Sequence, residues 1–400
     1  MKRIIITFLI LVQVFVINAQ EEKPKNWTLN GYVKNMTTGI FYNTEFQVPG
    51  IPISFQLDTF FQENLIHNRL NFKWFINDNW SFKSDLRNRI IFGDLVRTQE
   101  AASFFTEISY AESLDEANDY LNLSFEKVSK GIAIQSMIDR LYFEYASEKW
   151  EVRLGRQRIN WGINTFWNPN DIFNAFTFTD FDYAERPGSD ALRIRYFMNY
   201  ASSVEVAVKA FDDFDEAVMA GLWTFNKSNY DFQILVGLMQ RDLVFGGGWA
   251  GNLKNAGFKG EFSYFHSLDD EIDNSFAATF GIDYMFGNSL YLNGGFLFNS
   301  NGESQSGGEI LAFELSAKNL YPYKWTTYIQ TLYPFTQLIN GGLAVLYSPS
   351  DVHALFINPT FTYSISENWD LDMVGQIVFD KNEGYKSPIQ AIFLRTKFSF

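Results

Sequence analysis

The chain has 400 residues, no cysteine, and 46 acidic against 32 basic residues, a net charge of −14. Without thiols it holds neither disulfides nor thiolate metal sites, and arginines interspersed with carboxylates make no separate basic domain for nucleic acid. An aromatic share of 18% sits beside a mean hydropathy of only −0.13, and no stretch after residue 20 approaches the roughly 20 apolar residues of a spanning helix.

In chain order, Lys2 and Arg3 precede an apolar run from Ile4 to Val16 and a cut point at Ala19-Gln20. This is the pattern of a secretory signal peptide over 1–19, with Ile17 larger than the Ala preferred three residues before the cut. No cysteine follows the run, which excludes an acylated lipoprotein. Period-two alternation then recurs throughout 20–400, the strand signal. Its limits are blurred over 36–64. It is clearest from Trp80 to Phe92, where Trp80, Phe82, Leu86, Ile90 and Phe92 share one parity and Lys83, Asp85, Arg87 and Arg89 the other. Further runs set Leu141, Phe143 and Tyr145 against Arg140, Tyr142 and Glu144, and Trp150, Val152 and Leu154 against Glu151 and Arg153. Leu192, Ile194 and Tyr196 likewise oppose Arg193 and Arg195, and Val204, Val206 and Val208 oppose Glu205 and Lys209. The habit returns at Phe258 to Tyr264, Phe276 to Tyr284 and Trp369 to Ile377. It ends at Phe400, preceded by Phe398, Leu394 and Ile392 on one parity and Arg395 and Lys397 on the other.

A soluble sandwich would alternate too. The connections argue otherwise: 77–79, 147–149, 226–229 and 287–288 are tight turns, whereas 94–134, 158–187 and 300–322 are long. Short turns at one end and long loops at the other describe an outer-membrane barrel. The expected fold is therefore all-β, a transmembrane antiparallel up-and-down β-barrel of about 18 strands with long extracellular loops, sixteen being the alternative count. Gly308 to Leu320 reads as an amphipathic loop helix, and Ala101 to Asp119 as a helix-like acidic segment. Trp80, Trp150, Tyr284, Trp325 and Trp369 beside the turns suit the aromatic girdles. The outer membrane of a Gram-negative bacterium is the expected location. Expected partners are its lipid and lipopolysaccharide, the barrel assembly machinery through Phe400, and other outer-membrane proteins.

A barrel this wide is not filled by its wall and leaves an aqueous channel. Its inward parity is expected to be charged, so a dry core is not expected. Arg69, Lys73, Lys83, Arg87, Arg89, Arg140, Arg153, Arg193 and Arg195 fall on successive strands about 4.8 Å apart and would line one wall. They form either a ladder guiding an anionic or hydroxyl-rich solute or a set of Arg–carboxylate pairs that stiffens the barrel. The segment Leu154-Gly-Arg-Gln-Arg-Ile-Asn-Trp-Gly162 is the most distinctive. Parity changes after Gly155, which suggests a β-bulge re-aiming Arg156 and Arg158. Asn168-Pro169-Asn170-Asp171 reads as a turn into a loop, and Arg186-Pro187-Gly188 leads into the next strand.

Over about 138–196 this constellation resembles porin-like outer-membrane families related to alginate-export channels, with a weaker echo at Asn30-Gly-Tyr-Val-Lys34. The resemblance implies a barrel channel, with Arg153, Arg156, Arg158, Arg193 and Arg195 as pore-wall residues, and leaves the solute open. Loops 94–134 and 158–187 are long enough to fold inward as constrictions.

Chemistry beyond passage is sparse. His67, His266 and His353 are far apart and form no ligand cluster, so neither metal nor other cofactor is expected. Gly246-Gly247-Gly248 and Gly341-Gly342 lack the lysine of a phosphate loop, and are expected to allow bending or close approach. Ser263 beside His266 is the only local nucleophile–base pairing, and an enzyme is not expected. With the first strand near Trp27, no plug domain precedes it. A diffusion channel for small hydrophilic solutes is the leading expectation; a structural or accessory barrel subunit is the alternative.

Overall fold

A computed structural model describes residues 25–47, 54–102, 119–175, 188–269, 271–302, 315–381 and 384–400. The leader over 1–19 and its cut site lie outside them, as do most of the acidic segment 101–119, Arg186 and Pro187, and residues 308–314 of the expected loop helix.

The strands are β1 (Trp27–Gln47), β2 (Ser54–Phe75), β3 (Trp80–Gly93), β4 (Ser124–Ser129), β5 (Ile132–Ala146), β6 (Trp150–Gln157), β7 (Ser189–Asn199), β8 (Ser202–Lys209), β9 (Val218–Lys227) and β10 (Tyr230–Met239). There follow β11 (Asp242–Leu253), β12 (Ala256–Ser267), β13 (Ser275–Met285), β14 (Tyr291–Asn299), β15 (Trp325–Pro334), β16 (Ile339–Ser348), β17 (Ala354–Ser366), β18 (Trp369–Asp380) and β19 (Lys386–Ser399). All pair antiparallel in one sheet, which closes where β19 pairs with β1. Phe400 exchanges both backbone hydrogen bonds with Gly31, each 2.9 Å, and completes that seam.

The blurred stretch 36–64 resolves into the two longest strands, β1 and β2, which pair from Trp27↔Trp74 to Gln47↔Ser54. One edge of β5 pairs with β3; the other is shared, with β4 along Ile132–Met137 and β6 along Leu141–Ala146. The sheet has 19 strands, but β4 and β6 occupy one position, so the ring has 18. The reason is β6 itself: it leaves the wall after Gln157, and β4 satisfies the backbone groups that its departure would orphan.

Trp27, Trp74, Trp80, Trp150 and Trp369 stand exposed near the tight-turn end. Leu154, Val206, Val236, Phe245, Phe280, Ile329 and Ile392 are exposed on the outward parity around the ring. Closure gives every strand but β4 a partner on both sides, the condition for backbone at membrane depth, while β4 pairs among the described residues with β5. The chain is a membrane-spanning β-barrel of the outer-membrane type.

Three expectations need correction. The β6 register runs continuously from Arg156↔Leu141 to Glu151↔Ala146, so no residue is added at Gly155; its φ of +120° turns the chain instead. The true bulge is on β5, where Asp85 faces Arg140 but Leu86 faces Ile138, leaving Asp139 as the added residue. Residues 315–320, the described end of the expected loop helix, form a turn closed by a Ser316–Asn319 bridge. A helix, α1, does follow β3, at Asp94–Ala102. Finally, part of the interior is dry: inward Ala277, Leu297, Ala344, Leu346 and Phe356 pack with Phe166, Trp167, Tyr321 and Tyr323.

Candidate functional site: a charged wall facing an inward-folded segment

After Gln157 the chain turns into the barrel. Residues 159–174 are mostly buried, with Asn160 and Thr165 exposed. A backbone so placed needs partners for its polar groups, and both the segment and the wall supply them. Asp171 Oδ1 accepts from the Trp161 and Gly162 amides at 2.5 and 2.8 Å, and its Oδ2 from Asn160 Nδ2 at 3.2 Å. Trp161 Nε1 donates to Glu205 of β8 at 2.6 Å, and Gln233 of β10 donates to the Trp161 carbonyl at 2.8 Å. Glu261 of β12 accepts from the Ile163 amide at 3.1 Å, while Asn164 donates to Thr279 of β13 at 3.1 Å.

The glycine run of β11 is explained here. A Cβ on Gly246 would stand 2.5 Å from Asn170 Oδ1 and 2.9 Å from Ser263 Oγ; one on Gly248 would stand 2.7 Å from Ile163 Cδ1. These glycines let the segment lie against the wall, the close approach expected of them. Small inward residues Ala191, Ala207 and Ala220 similarly make room for Ile159, Trp161, Ile172 and Phe173. Ser263 Oγ donates to Pro169 O and Asn170 Oδ1, whereas His266 bonds Asn274. The two residues share no hydrogen bond, and Ser263 serves to anchor the segment.

Its packing partners lie mostly on β7–β19, so the inward face of β2–β6 carries the charged residues, beside a small apolar cluster of Leu65, Ile91 and Ala133 with Val96. Arg69 is 2% exposed between Asp85, at 3.1 Å, and Asp139, which also holds Arg87 at 3.2 Å. The β5 bulge is what delivers Asp139 to both guanidiniums. Arg140 Nη1 turns back to the Asp139 carbonyl at 2.7 Å, and Arg89 Nε donates to Gln135 at 2.8 Å. Lower down, Arg153 joins Glu144 and Glu151; Arg193 bridges Glu151, at 3.2 Å, and Glu205, at 2.7 Å; and Arg195 reaches Glu205 at 3.0 Å. Glu205 thus ties the wall to the inward segment through Trp161.

Lys73 and Lys83 differ. Their side chains stay 38% and 32% exposed, with contacts of 3.9 Å to Glu144 and 3.2 Å to Asp85. With Thr28, Asn30, Arg69 and Asn71 they line a recess of about 300 Å³ towards the tight-turn end. Arg156 stands apart. It is buried in the seam where β6 leaves the wall, with Nε 3.0 Å and Nη2 2.6 Å from the two Asp190 oxygens and Nη2 also on the Leu121 carbonyl. Arg158 is half-buried at the root of the segment.

Comparison of folds supports the architecture. The chain is similar to Pseudomonas aeruginosa OccK5 (OpdH), with a TM-score of 0.59, 7% identity, and coverage of 94% of this chain and 98% of that one. P. aeruginosa OccK11 (OpdR) gives 0.57, 7%, 94% and 96%, and Acinetobacter baumannii OccAB4 gives 0.54, 9%, 94% and 100%. The fold is porin-like. At such identities the likeness is one of fold. No family model matches the sequence, and no curated protein matches it.

Asp139, Asp171, Glu261 and Asn170 were not singled out from sequence as site residues. Asp171 and Asn170 lay in the quoted turn, and Glu261 broke an otherwise aromatic strand, which was the available signal. The signal for Asp139 is a parity switch within β5: Ile132, Ile134 and Ile138 face outward on one parity, Leu141, Phe143 and Tyr145 on the other.

Proposed function

We propose that the chain is a diffusion channel for small hydrophilic solutes, with a preference for anionic or saccharide-like ones. The observation that carries this reading is the row Lys73, Lys83, Arg153 and Arg195 on β2, β3, β6 and β7, whose side chains stay 26–38% exposed. Cations held by carboxylates yet open to water present donors to a passing anion or hydroxyl without a deep well, which suits conduction. The likeness of 138–196 to alginate-export-type channels supports the saccharide part. Lipopolysaccharide contact and recognition of Phe400 by the assembly machinery belong to the same proposal.

A closed barrel serving as a scaffold is the second reading, favoured by the apolar packing of Phe166 and Trp167 against the far wall. Planar-bilayer recording separates the two. The channel reading expects conductance with an anion-biased reversal potential. Conductance absent both in the intact chain and after deletion of 159–174 would favour the scaffold.

A further inference from the structure

The outward parity of the wall is mostly apolar, and its asparagines, among the described residues, all fall on β1–β3. On β1–β3 and β5 it carries Asn35, Thr37, Asn64, Asn68, Asn88 and Ser136, all partly or fully exposed. Register puts Asn68 directly opposite Asn88, and Asn88 opposite Ser136. They bond in a row: Ser136 Oγ donates to Asn88 at 2.6 Å, Asn88 Nδ2 to Asn68 at 3.3 Å, and Asn68 Nδ2 to the Tyr32 carbonyl at 3.2 Å. Thr37 donates to Asn64 at 3.0 Å.

Depth makes this row unusual. Asn68 lies six residues above the girdle residue Trp74, which at ~3.3 Å per residue and a tilt of ~40° is about 15 Å up an apolar band ~25 Å tall. Elsewhere on the outward parity stand Val206, Ile234, Phe245, Phe280 and Ile329. Amides in hydrocarbon are costly wherever donor or acceptor capacity is left over, and the row bonds satisfy only part of what four asparagines offer.

Beside the row the wall changes shape. Phe41 and Phe60 pack with tilted rings, centroids 4.6 Å apart, and stand 51% and 50% exposed as a ridge. Next to them is a groove of about 390 Å³ lined by Phe41, Pro359, Phe361, Met373, Gly375 and Ile392. Gly375 and Pro359 keep its floor low, and Pro359 falls where the β17–β18 pairing is interrupted between Ile357 and Thr360.

We propose that this face, from β17 through β19 and β1 to β5, is where a second copy of the chain docks in the membrane. Asparagine is donor and acceptor at once, so the row complements itself. The ridge and groove lie side by side, so the same patch offers both the projection and the recess a copy requires. No charged side chain stands in the row, which rules out a match by opposite charge. Polar groups joining protein surfaces inside a bilayer are an established form of adhesion.

The test replaces Asn88 by a photo-cross-linking phenylalanine derivative and irradiates intact outer membranes, with Val236 replaced likewise on the opposite wall. The expected product is a species at twice the chain mass from position 88 and none from 236. In a second arm, Asn68→Leu with Asn88→Leu is expected to fold, since leucine suits lipid, and to run as single barrels where the parent runs as multiples in mild detergent. No product at position 88, a different protein attached there, equal yields at both positions, or multiples retained by the leucine variant would each overturn the proposal.

Discussion

Asn170 fastens the inward segment to β11 and β12, and its removal has a calculable effect. Its Nδ2 donates to Gly247 O at 3.1 Å and its Oδ1 accepts from Ser263 at 2.7 Å. Asn170→Ala deletes both, at about 1 kcal/mol net each, while Ser263 keeps Pro169 O at 2.9 Å. Some 2 kcal/mol off the docked state shifts the docked-to-undocked ratio roughly 30-fold, at ~1.4 kcal/mol per tenfold. Gly246→Ala attacks the same joint from the wall, because its Cβ would lie 2.5 Å from Asn170 Oδ1; overpacking of this kind costs about 1–3 kcal/mol. With Asn170 already shortened that contact is gone, so the double variant falls short of additivity by about 1 kcal/mol. Single-channel recording reads this as time spent in a higher-conductance level: raised by each variant alone, and raised by less than the product in the pair. Unchanged level occupancy in folded barrels, or strict additivity, would refute the account of the glycine run.

Three further outcomes follow from the wall. Asp139→Leu removes the carboxylate that Arg69 and Arg87 share, leaving Arg69 with Asp85, and is expected to lower stability by about 3 kcal/mol, the low end for breaking a buried pair, in urea unfolding of the refolded barrel in vesicles. Lys73→Glu with Lys83→Glu is expected to move the reversal potential in a salt gradient towards cation selectivity, and no movement would mean that permeating ions pass elsewhere. Gly155→Ala places a Cβ 2.2 Å from the Leu141 carbonyl at a φ of +120°; a loss of about 2 kcal/mol is expected in the same unfolding assay, and a neutral result would contradict the turn assigned to this glycine.

The barrel was legible because one face of each strand meets lipid, which keeps that parity apolar around most of the ring: Trp80 to Phe92, with five apolar residues on the outward parity, reads off its own orientation. What stayed hidden depends on contacts between parts distant in sequence. Asp139 is harder to read: the parity of β5 switches between Ile138 and Leu141, yet which of Asp139 and Arg140 is the added residue is fixed by pairing with β3. The dry half of the lumen was missed because Ala207, Ala220 and Ala277 are small enough to pass as neutral positions, and only the arrival of Trp161 and Trp167 makes them a core. The Gly246–Gly248 run announced close approach without naming what approaches. The polar row on the outside was present as letters, yet a lone Asn at outward parity means little until register sets Asn68, Asn88 and Ser136 side by side.

The arginine wall shows why counting charges misleads. Arg69 and Arg87 are 2% exposed and clasped by Asp139; such a charge is too costly to leave bare, and even where Arg69 backs the recess its guanidinium is held by carboxylates, so its effect is to hold β2, β3 and β5 rigid. Lys73 and Lys83 keep roughly a third of their surface in the lumen, where a long flexible stem with a strongly hydrated head can follow a moving anion. The stiffening and the guiding roles weighed for this wall therefore fall on different residues. Rigidity sits at the buried arginines near the β5 bulge, and any selectivity sits at the wetter cations towards the tight-turn end. If that division is right, Arg87→Met paired with Asp139→Leu changes unfolding without changing reversal potential, whereas the lysine reversals do the opposite.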